Sequence, residues 1–568
     1  MGKKCVMTPV EEIDLSAVKY QPQNISAPHL TGLGLRLFVW LVKTPLIGSI
    51  ILSILKKQNN LNKILRCTEI PEKPMFRPEF PPQAPEIGVA VFGENDEPIT
   101  RVEKSFGCLR SYDPNQRWHE NSPPFLYWTI RDFAHAYRSM LATPSAVAEN
   151  IIAIVEEYNN KKPPMPLLIS FSAEEVRKQA AASTQRFAEG NSLSILDGIF
   201  MAIKDDIDCY PHPSKSGTSW LHNARVVKKD AVCVSRLRSC GVILIGKANM
   251  HELGMGTTGN NPLHGTTRNP HSFDRYTGGS SSGPAALVAS GLCSAAVGTD
   301  GGGSIRIPSS LCGIVGLKAT YGRIDMKGSV CDCGTVEVSS PLAATVEDAM
   351  IVYAAMAGSS LDDRISLRPS PICLPDLSSA NSSDVLRSMR LGKYSEWFND
   401  VYSTEISSKC EDILNRLAEI FGCSITEIVL PELHELQTAH VVSIGSESLC
   451  ALSPDCEDGR DTELSLDTQV SLALFRSFTA ADYVAAQRLR RRIMYYYMEA
   501  FKKVDIIVTP TTGITAPKIS TSSLKNGESN YVITSYLMRF VLAGIFWAFL
   551  LYLFLLGMIK KDFLLACN

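Results

Sequence analysis

The sequence predicts an α/β fold in which a mixed β-sheet is covered by helices on both faces. Three short runs, residues 199–203, 242–245 and 504–508, are almost continuously apolar. Such runs are typical of strands that are buried on both faces of a sheet. Stretches with helical periodicity fall between them, at residues 230–239 and 481–501. This alternation favours a largely parallel or mixed sheet enclosed by helices.

The chain of 568 residues divides into four predicted regions. We expect amphipathic helices in residues 1–60, a helical and extended covering region in 61–190, and a catalytic domain in 191–539. Residues 540–559 form an apolar tail that is a candidate transmembrane helix. Its length suits a membrane span, because a helix rises about 1.5 Å per residue and the bilayer core is about 30 Å thick.

The apolar segment 33–55 near the N-terminus carries Arg36 and the helix breaker Pro45. Its uncharged stretches are therefore too short to span a bilayer, and we predict two short amphipathic helices. These helices either lie in a membrane interface, with Phe38 and Trp40 at the depth of the lipid headgroups, or pack on the protein body or a second subunit. The sequence leaves both alternatives open.

Composition argues against several other classes of protein. The formal net charge is −2, from 56 basic and 58 acidic residues, so no overall field attracts nucleic acid. The 16 cysteines are scattered rather than regularly spaced, which predicts mostly reduced thiols. A zinc motif that begins at His251 and Glu252 fails, because Met255 stands where the second histidine is required. We expect neither a metal nor another cofactor. The N-terminal residues do not have the pattern of a secretory signal, which predicts a cytosolic location.

Two loops rich in glycine and serine, residues 276–284 and 298–308, carry the strongest local signal. Gly301, Gly302 and Gly303 precede Ser304, and glycines in this position allow consecutive N–H groups to point at one place. An oxyanion hole requires that arrangement. The same composition, taken alone, is also typical of ordinary flexible loops.

Two other interpretations of these loops are disfavoured. Residues 279–283 satisfy the G-x-S-x-G pattern with Ser281 at its centre, but the nucleophile elbow of α/β-hydrolases needs a preceding strand. Residues 269–275 instead predict a turn. A phosphate-binding loop would need a lysine after its last glycine, and Gly303 is followed by Ser304.

Lys204 follows the predicted strand 199–203 directly. Burial disfavours the charged form of a lysine, and a neutral amine can act as a general base. A lysine at the end of a strand is more commonly a structural or surface residue, so Lys204 by itself does not identify a catalytic base.

Several motifs are present in order, at residues 196–208, 246–253, 278–281 and 298–318. Together they closely resemble the amidase signature family. The resemblance implies the amidase signature fold and the family's cis-Ser-Ser-Lys triad. In that triad Ser304 would be the nucleophile, Ser280 the bridging serine and Lys204 the terminal base.

The same resemblance implies roles for the neighbours of the triad. Backbone N–H groups of Gly301, Gly302, Gly303 and Ser304 would stabilise the oxyanion of the tetrahedral intermediate. Three further side chains would hold the loop in place, namely those of Ser281, Asp300 and Arg306.

Within the family, the 203 residues that precede Lys204 are similar to the long N-terminal region of plant fatty acid amide hydrolases. This implies hydrolysis of N-acylethanolamines to free fatty acid and ethanolamine, by a homodimer on the cytosolic face of the endoplasmic reticulum or plasma membrane. The alternatives are an amidase of short amides or hormone conjugates, and an inactive amidase-like membrane protein. From about Gly544 the chain departs from the family pattern, which predicts a catalytic domain that lacks its C-terminal part.

Overall fold

The computed structural model describes most of the chain. The described residues are 5–22, 25–79, 89–93, 96–114, 125–330, 334–358, 372–378, 387–456, 460–546, 554–559 and 563–567.

The strands are short, and many pair in small two-stranded units outside the central sheet. They are β1 (Cys5–Val6), β2 (Leu30–Thr31), β3 (Thr68–Glu69), β4 (Val89–Val91), β5 (Leu168–Phe171), β6 (Phe200–Lys204), β7 (Ile243–Ala248), β8 (Arg268–Asn269), β9 (Ser272–Tyr276), β10 (Ala295–Asp300), β11 (Val315–Gly316), β12 (Val338–Ala343), β13 (Cys373–Pro375), β14 (Arg390–Lys393), β15 (Ser424–Glu427), β16 (Ile506–Ile507), β17 (Glu528–Ser529), β18 (Phe554–Ile559) and β19 (Phe563–Cys567).

Helices hold more of the described residues than strands do. They are α1 (Gly32–Lys43), α2 (Ile47–Gln58), α3 (Leu61–Arg66), α4 (Pro98–Gly107), α5 (Ile130–Arg138), α6 (Pro144–Asn160), α7 (Ala173–Ala188), α8 (Leu221–Ala224), α9 (Val232–Ser239), α10 (Ser282–Ala289), α11 (Arg306–Cys312), α12 (Val346–Met356), α13 (Ser395–Phe398), α14 (Thr404–Phe421), α15 (Leu433–Cys456), α16 (Leu466–Arg476), α17 (Ala480–Phe501), α18 (Ser523–Asn526), α19 (Tyr531–Met538) and α20 (Ala543–Phe546).

A six-stranded mixed sheet lies at the centre, in the order β11-β12-β10-β6-β7-β5. Strands β10, β6 and β7 run parallel, while β12 and β5 run antiparallel to their neighbours. The mixed sheet predicted from the sequence is therefore confirmed. Because β6 and β10 are adjacent and parallel, their carboxyl ends meet at one edge, where open α/β sheets usually bind ligands.

Helix α10 packs closely on this sheet because its side chains are small. Every residue from Ser282 to Ala289 is buried, and the helix contacts β6, β7 and β10. A Cβ at Gly283 would lie only 2.5 Å from the backbone nitrogen of Asn249, so only glycine permits this approach.

The predicted helices at 230–239 and 481–501 are confirmed as α9 and α17, and α17 begins at a capping box formed by Thr479 and Asp482. The run 504–508 differs from the prediction. It contributes only β16, at the edge of a separate sheet with β14 and β15, and Ile506 is 39 % exposed. The prediction that this run is buried on both faces of a sheet is therefore wrong, because β16 is an edge strand.

The region predicted to cover the domain is more regular than expected. It holds the helices α4 to α7, and its strand β5 joins the edge of the central sheet. Residues 269–275, predicted to be a turn, contain most of the short hairpin of β8 and β9. This region also holds a proline-rich stretch at residues 78–85, most of which lies outside the described residues.

The N-terminal segment forms two short helices, as predicted. Helices α1 and α2 meet at an angle of 106°, at a break that contains Pro45. Their outer surface is apolar, with these exposed side chains: Leu33, Leu37, Trp40, Leu46, Ile47, Ile50 and Ile54. Phe38 is not among them, because it is partly buried and contributes to the wall of an apolar cavity.

The described parts of the predicted tail 540–559 do not form one helix. Residues 540–545 are almost entirely buried in the protein core, and β18 pairs with β19. Residues 547–553 lie outside the described part of the chain. Within the described residues, no individual helix has both the length and the hydropathy of a membrane span. The bent pair α1 and α2 has both only when the two helices are taken together.

Candidate active site

The fold brings Lys204, Ser280 and Ser304 together at one edge of the central sheet. Lys204 is the last residue of β6, and Ser304 follows β10, the adjacent parallel strand. Ser280 lies in the turn before α10, after a cis peptide bond between Gly279 and Ser280. The backbone N–H of Ser281 donates to the Ser304 carbonyl at 3.2 Å, which joins the two glycine-rich loops.

The amine of Lys204 is fully buried and makes three polar contacts. Its Nζ lies 2.8 Å from Ser280 Oγ and 2.6 Å from Thr299 Oγ1, and 3.0 Å from a carboxylate oxygen of Asp206. The Thr299 hydroxyl donates in turn to the same Asp206 oxygen at 2.8 Å. One half of the predicted relay, from Lys204 to Ser280, is thus a hydrogen bond in the structure.

The other half of the relay is open in this conformation. Ser304 is partly exposed and lies on the wall of a cavity. Among the contacts of the described residues, its hydroxyl makes no hydrogen bond to Ser280. Catalytic hydrogen bonds are often longer without substrate and tighten when it binds.

The loop that carries Ser304 is held by a buried ion pair. Both carboxylate oxygens of Asp300 accept hydrogen bonds from the Arg306 guanidinium, each at 2.9 Å. Burial opposes the charge of Asp300, but the neighbouring guanidinium outweighs it and holds the pKa of that carboxyl well below its usual range. Arg306 also donates to the Val541 carbonyl at 2.6 Å. The start of the predicted tail therefore supports the loop.

The Asp300 carboxylate uses one of the N–H groups predicted to bind an oxyanion. It accepts a hydrogen bond from Gly303 N–H at 2.7 Å and another from Ile305 N–H at 3.2 Å. The carbonyl of Gly301 accepts from His440 Nε2 at 2.7 Å. Gly303 thus braces the loop in this structure, whereas Gly301, Gly302 and Ser304 line the cavity.

A cavity of about 210 Å³ opens beside Ser304 and continues towards the N-terminal helices. A second, almost entirely apolar cavity of about 130 Å³ lies beneath α1 and α2, where Phe38, Leu52 and Leu55 contribute to its wall. The two cavities share the following wall residues: Ile25, Gln437, Val441, Leu474, Ser529 and Tyr531. The two cavities are therefore adjacent, one beside the nucleophile loop and the other beneath the helices whose outer face is apolar.

Polar groups line the cavity wall next to Ser280. His251 donates its backbone N–H to the Ser280 carbonyl at 3.0 Å, and its ring lies 3.1 Å from an Asp467 carboxylate oxygen. Burial raises the pKa of the adjacent Glu252 to about 7, although hydrogen bonds from Ser465 oppose this shift. Of the failed zinc motif, His251 and Met255 thus line the cavity, while Glu252 is buried next to them.

A family model described as Amidase matches residues 149–547, which include all the residues of this site. The chain belongs to the amidase family. It is 66 % identical over 546 residues to fatty acid amide hydrolase of Oryza sativa subsp. indica, covering 96 % of this chain and 90 % of that protein. The corresponding protein of Medicago truncatula is 64 % identical over 541 residues, covering 95 % and 89 %. The protein is accordingly an amide hydrolase.

Solved amidases share its fold. The structure of a bacterial aryl acylamidase from the amidase signature family superposes with a TM-score of 0.68, over 78 % of this chain and 92 % of that chain. Sequence identity is 22 %, so this likeness concerns the fold alone.

The structure brings together all the residues that the sequence singled out, but Ser281 does not face the cavity. It is buried, and its hydroxyl donates to the Thr299 carbonyl at 3.4 Å. Sequence reasoning missed Asp206 and Thr299, although both lie within five positions of a predicted catalytic residue. It also missed His440, which is separated from Gly301 by 139 positions and carries no local signal.

Proposed function

We propose that this amidase hydrolyses long-chain N-acylethanolamines through an acyl-enzyme on Ser304. The observation that carries the proposal is that the cavity beside Ser304 adjoins the apolar cavity beneath α1 and α2, with which it shares wall residues. A long acyl chain needs a continuous apolar wall, while short amides do not. The plant relatives are fatty acid amide hydrolases, which supports a long-chain amide as the substrate.

In the proposed mechanism Lys204 is the terminal base of the triad. It takes a proton from Ser280, which takes one from Ser304, so that Ser304 Oγ attacks the amide carbonyl. Backbone N–H groups of Gly301, Gly302 and Ser304 bind the resulting oxyanion. The proton returns through Ser280 to the leaving nitrogen, ethanolamine departs, and water cleaves the acyl-enzyme by the same relay. Asp206 and Thr299 orient the amine of Lys204. Each contacts the amine within 3.0 Å, and the Thr299 hydroxyl donates to Asp206.

The test compares amides that differ only in acyl length. We expect the purified protein to hydrolyse a C16 or C18 acylethanolamide with a kcat/KM at least about 100-fold above that of an acetyl amide, because each buried CH2 contributes about 0.8 kcal/mol. Liberated fatty acid is measured by mass spectrometry. Equal rates for both amides would favour the short-amide alternative, and no hydrolysis of either would favour the inactive one.

The proposal includes a membrane surface as a partner and a homodimer as the working form. The exposed face of α1 and α2 is broad and apolar, as expected of helices that lie in a membrane interface. Such a location places the apolar cavity next to the lipid from which a long-chain amide would enter.

We expect the double variant Trp40→Glu/Ile50→Glu to weaken binding to liposomes by at least about tenfold, because two apolar contacts are exchanged for charges. Co-sedimentation with vesicles of phosphatidylcholine and phosphatidylserine measures the effect. Ile420→Glu is the matched control, since Ile420 is 65 % exposed on α14. If the double variant keeps its liposome binding but becomes monomeric in light scattering, the apolar face is a subunit interface instead.

A further inference from the structure

His440 lies on α15 beside the nucleophile loop and binds its backbone. Its Nε2 is 2.7 Å from the Gly301 carbonyl oxygen, and the side chain is almost fully buried. Burial lowers the pKa of His440 to about 4, so its ring is neutral at neutral pH. A carbonyl oxygen can only accept a hydrogen bond, so Nε2 carries the proton and donates it.

The imidazole ring also limits the position of the next residue. A Cβ built on Gly302 would lie 3.3 Å from His440 Cε1 and 3.1 Å from Met538 Cε. Gly302 is therefore confined between a ring on α15 and a side chain on α19. The hydrogen bond and this confinement act on the same peptide group, the one between Gly301 and Gly302.

The planarity of a peptide group gives this contact a consequence for catalysis. In a trans peptide the C=O of one residue and the N–H of the next point in opposite directions. With the Gly301 carbonyl held by His440, the Gly302 N–H is directed away from the ring. If the peptide rotated, its carbonyl oxygen would take the place of the N–H and would repel a developing negative charge.

We propose that His440 is a positioning residue of the oxyanion hole, which keeps the Gly302 N–H in the orientation that stabilises the tetrahedral intermediate by holding the Gly301 carbonyl. The inference rests on the proposed function, because it presumes an oxyanion formed at Ser304. His440 acts through the backbone and not by proton transfer. It should therefore affect the binding of an oxyanion much more than the binding of an acyl chain.

Two variants separate the hydrogen bond from the shape of the ring. His440→Phe keeps a ring of similar size but has no donor, and His440→Gln places an amide N–H close to the position of Nε2. We expect His440→Phe to lower kcat about 100-fold with little change in KM, because misplaced oxyanion donors cost about 10² to 10³ in rate. His440→Gln should recover most of this loss.

A pair of inhibitors provides a readout that a purely structural role would not change. A long-chain trifluoromethyl ketone forms a serine adduct that carries an oxyanion, whereas a long-chain alcohol of equal length occupies the cavity without one. In His440→Phe the affinity for the ketone should fall by about the same factor as kcat, and the affinity for the alcohol should stay near that of the wild type.

The matched control is His264→Phe, because the His264 ring also contacts a backbone carbonyl, that of Thr218 at 2.9 Å, away from the residues that line the cavity. An unchanged kcat in His440→Phe, or equal losses of affinity for ketone and alcohol, would overturn the inference. If His440→Phe does not fold, His440→Asn, whose shorter amide does not reach the carbonyl, takes its place. Failure of the wild type to hydrolyse long-chain amides would refute the proposed function, whereas the ratio of the two inhibitor affinities tests His440 alone.

Discussion

Replacement of Ser304 by alanine is expected to abolish both amide hydrolysis and covalent labelling by a fluorophosphonate. The alanine variant has no nucleophile at the cavity wall where Ser304 lies. Loss of a nucleophile that acts with its base typically lowers kcat by about 10⁶-fold. Labelling is measured by gel fluorescence or intact-mass spectrometry, and hydrolysis by the release of fatty acid.

Ser281 supplies the informative comparison, because it is the centre of the G-x-S-x-G pattern and a neighbour of Ser280. Its side chain is buried and bonded to a backbone carbonyl, so Ser281→Ala should remain open to labelling at Ser304. Labelling that persists in Ser304→Ala and disappears in Ser281→Ala would contradict the assignment of the nucleophile. Circular dichroism of both variants checks that the fold is retained.

Replacement of Arg306 by methionine is expected to destabilise the protein by about 3 to 5 kcal/mol, since it leaves a buried carboxylate without its partner. Arg306 and Asp300 are both completely buried. The carboxylate also accepts the N–H groups of Gly303 and Ile305, so the loop of Ser304 should lose its geometry as well. Urea unfolding measures the stability, and the rate of fluorophosphonate labelling reports on the loop.

Arg177→Met is the matched control for this ion pair. Arg177 also forms two hydrogen bonds to one carboxylate, that of Glu149, but both side chains are more than half exposed. Exposed pairs contribute about 0 to 1 kcal/mol, so this control should change stability little. The double variant Asp300→Asn/Arg306→Met should regain part of the lost stability, because it removes the unpaired charge. Equal effects of Arg306→Met and Arg177→Met would show that burial does not matter here.

Local patterns in the sequence were sufficient for the main elements of the fold. The apolar run 199–203 and the periodicity of 481–501 correspond to β6 and α17, because strand and helix formation depend largely on the spacing of apolar side chains. The run 504–508 is also mainly apolar but forms an edge strand of a separate sheet. Composition does not encode which neighbours cover a strand, so the sheet that it joins could not be predicted.

Residues of the candidate site that lie in compact motifs were identifiable from the sequence alone. Lys204, Ser280 and Ser304 belong to short, glycine-rich or strand-end segments whose resemblance to a family is specific. Only the tertiary structure decided which groups surround them, namely Asp206 at the amine, Gly303 bound to Asp300, and His440 at the Gly301 carbonyl. Contacts of this kind arise from the packing of distant elements, and no local pattern records them. For the same reason, the sequence did not reveal that Phe38 contributes to a cavity wall or that the first residues of the apolar tail support the nucleophile loop.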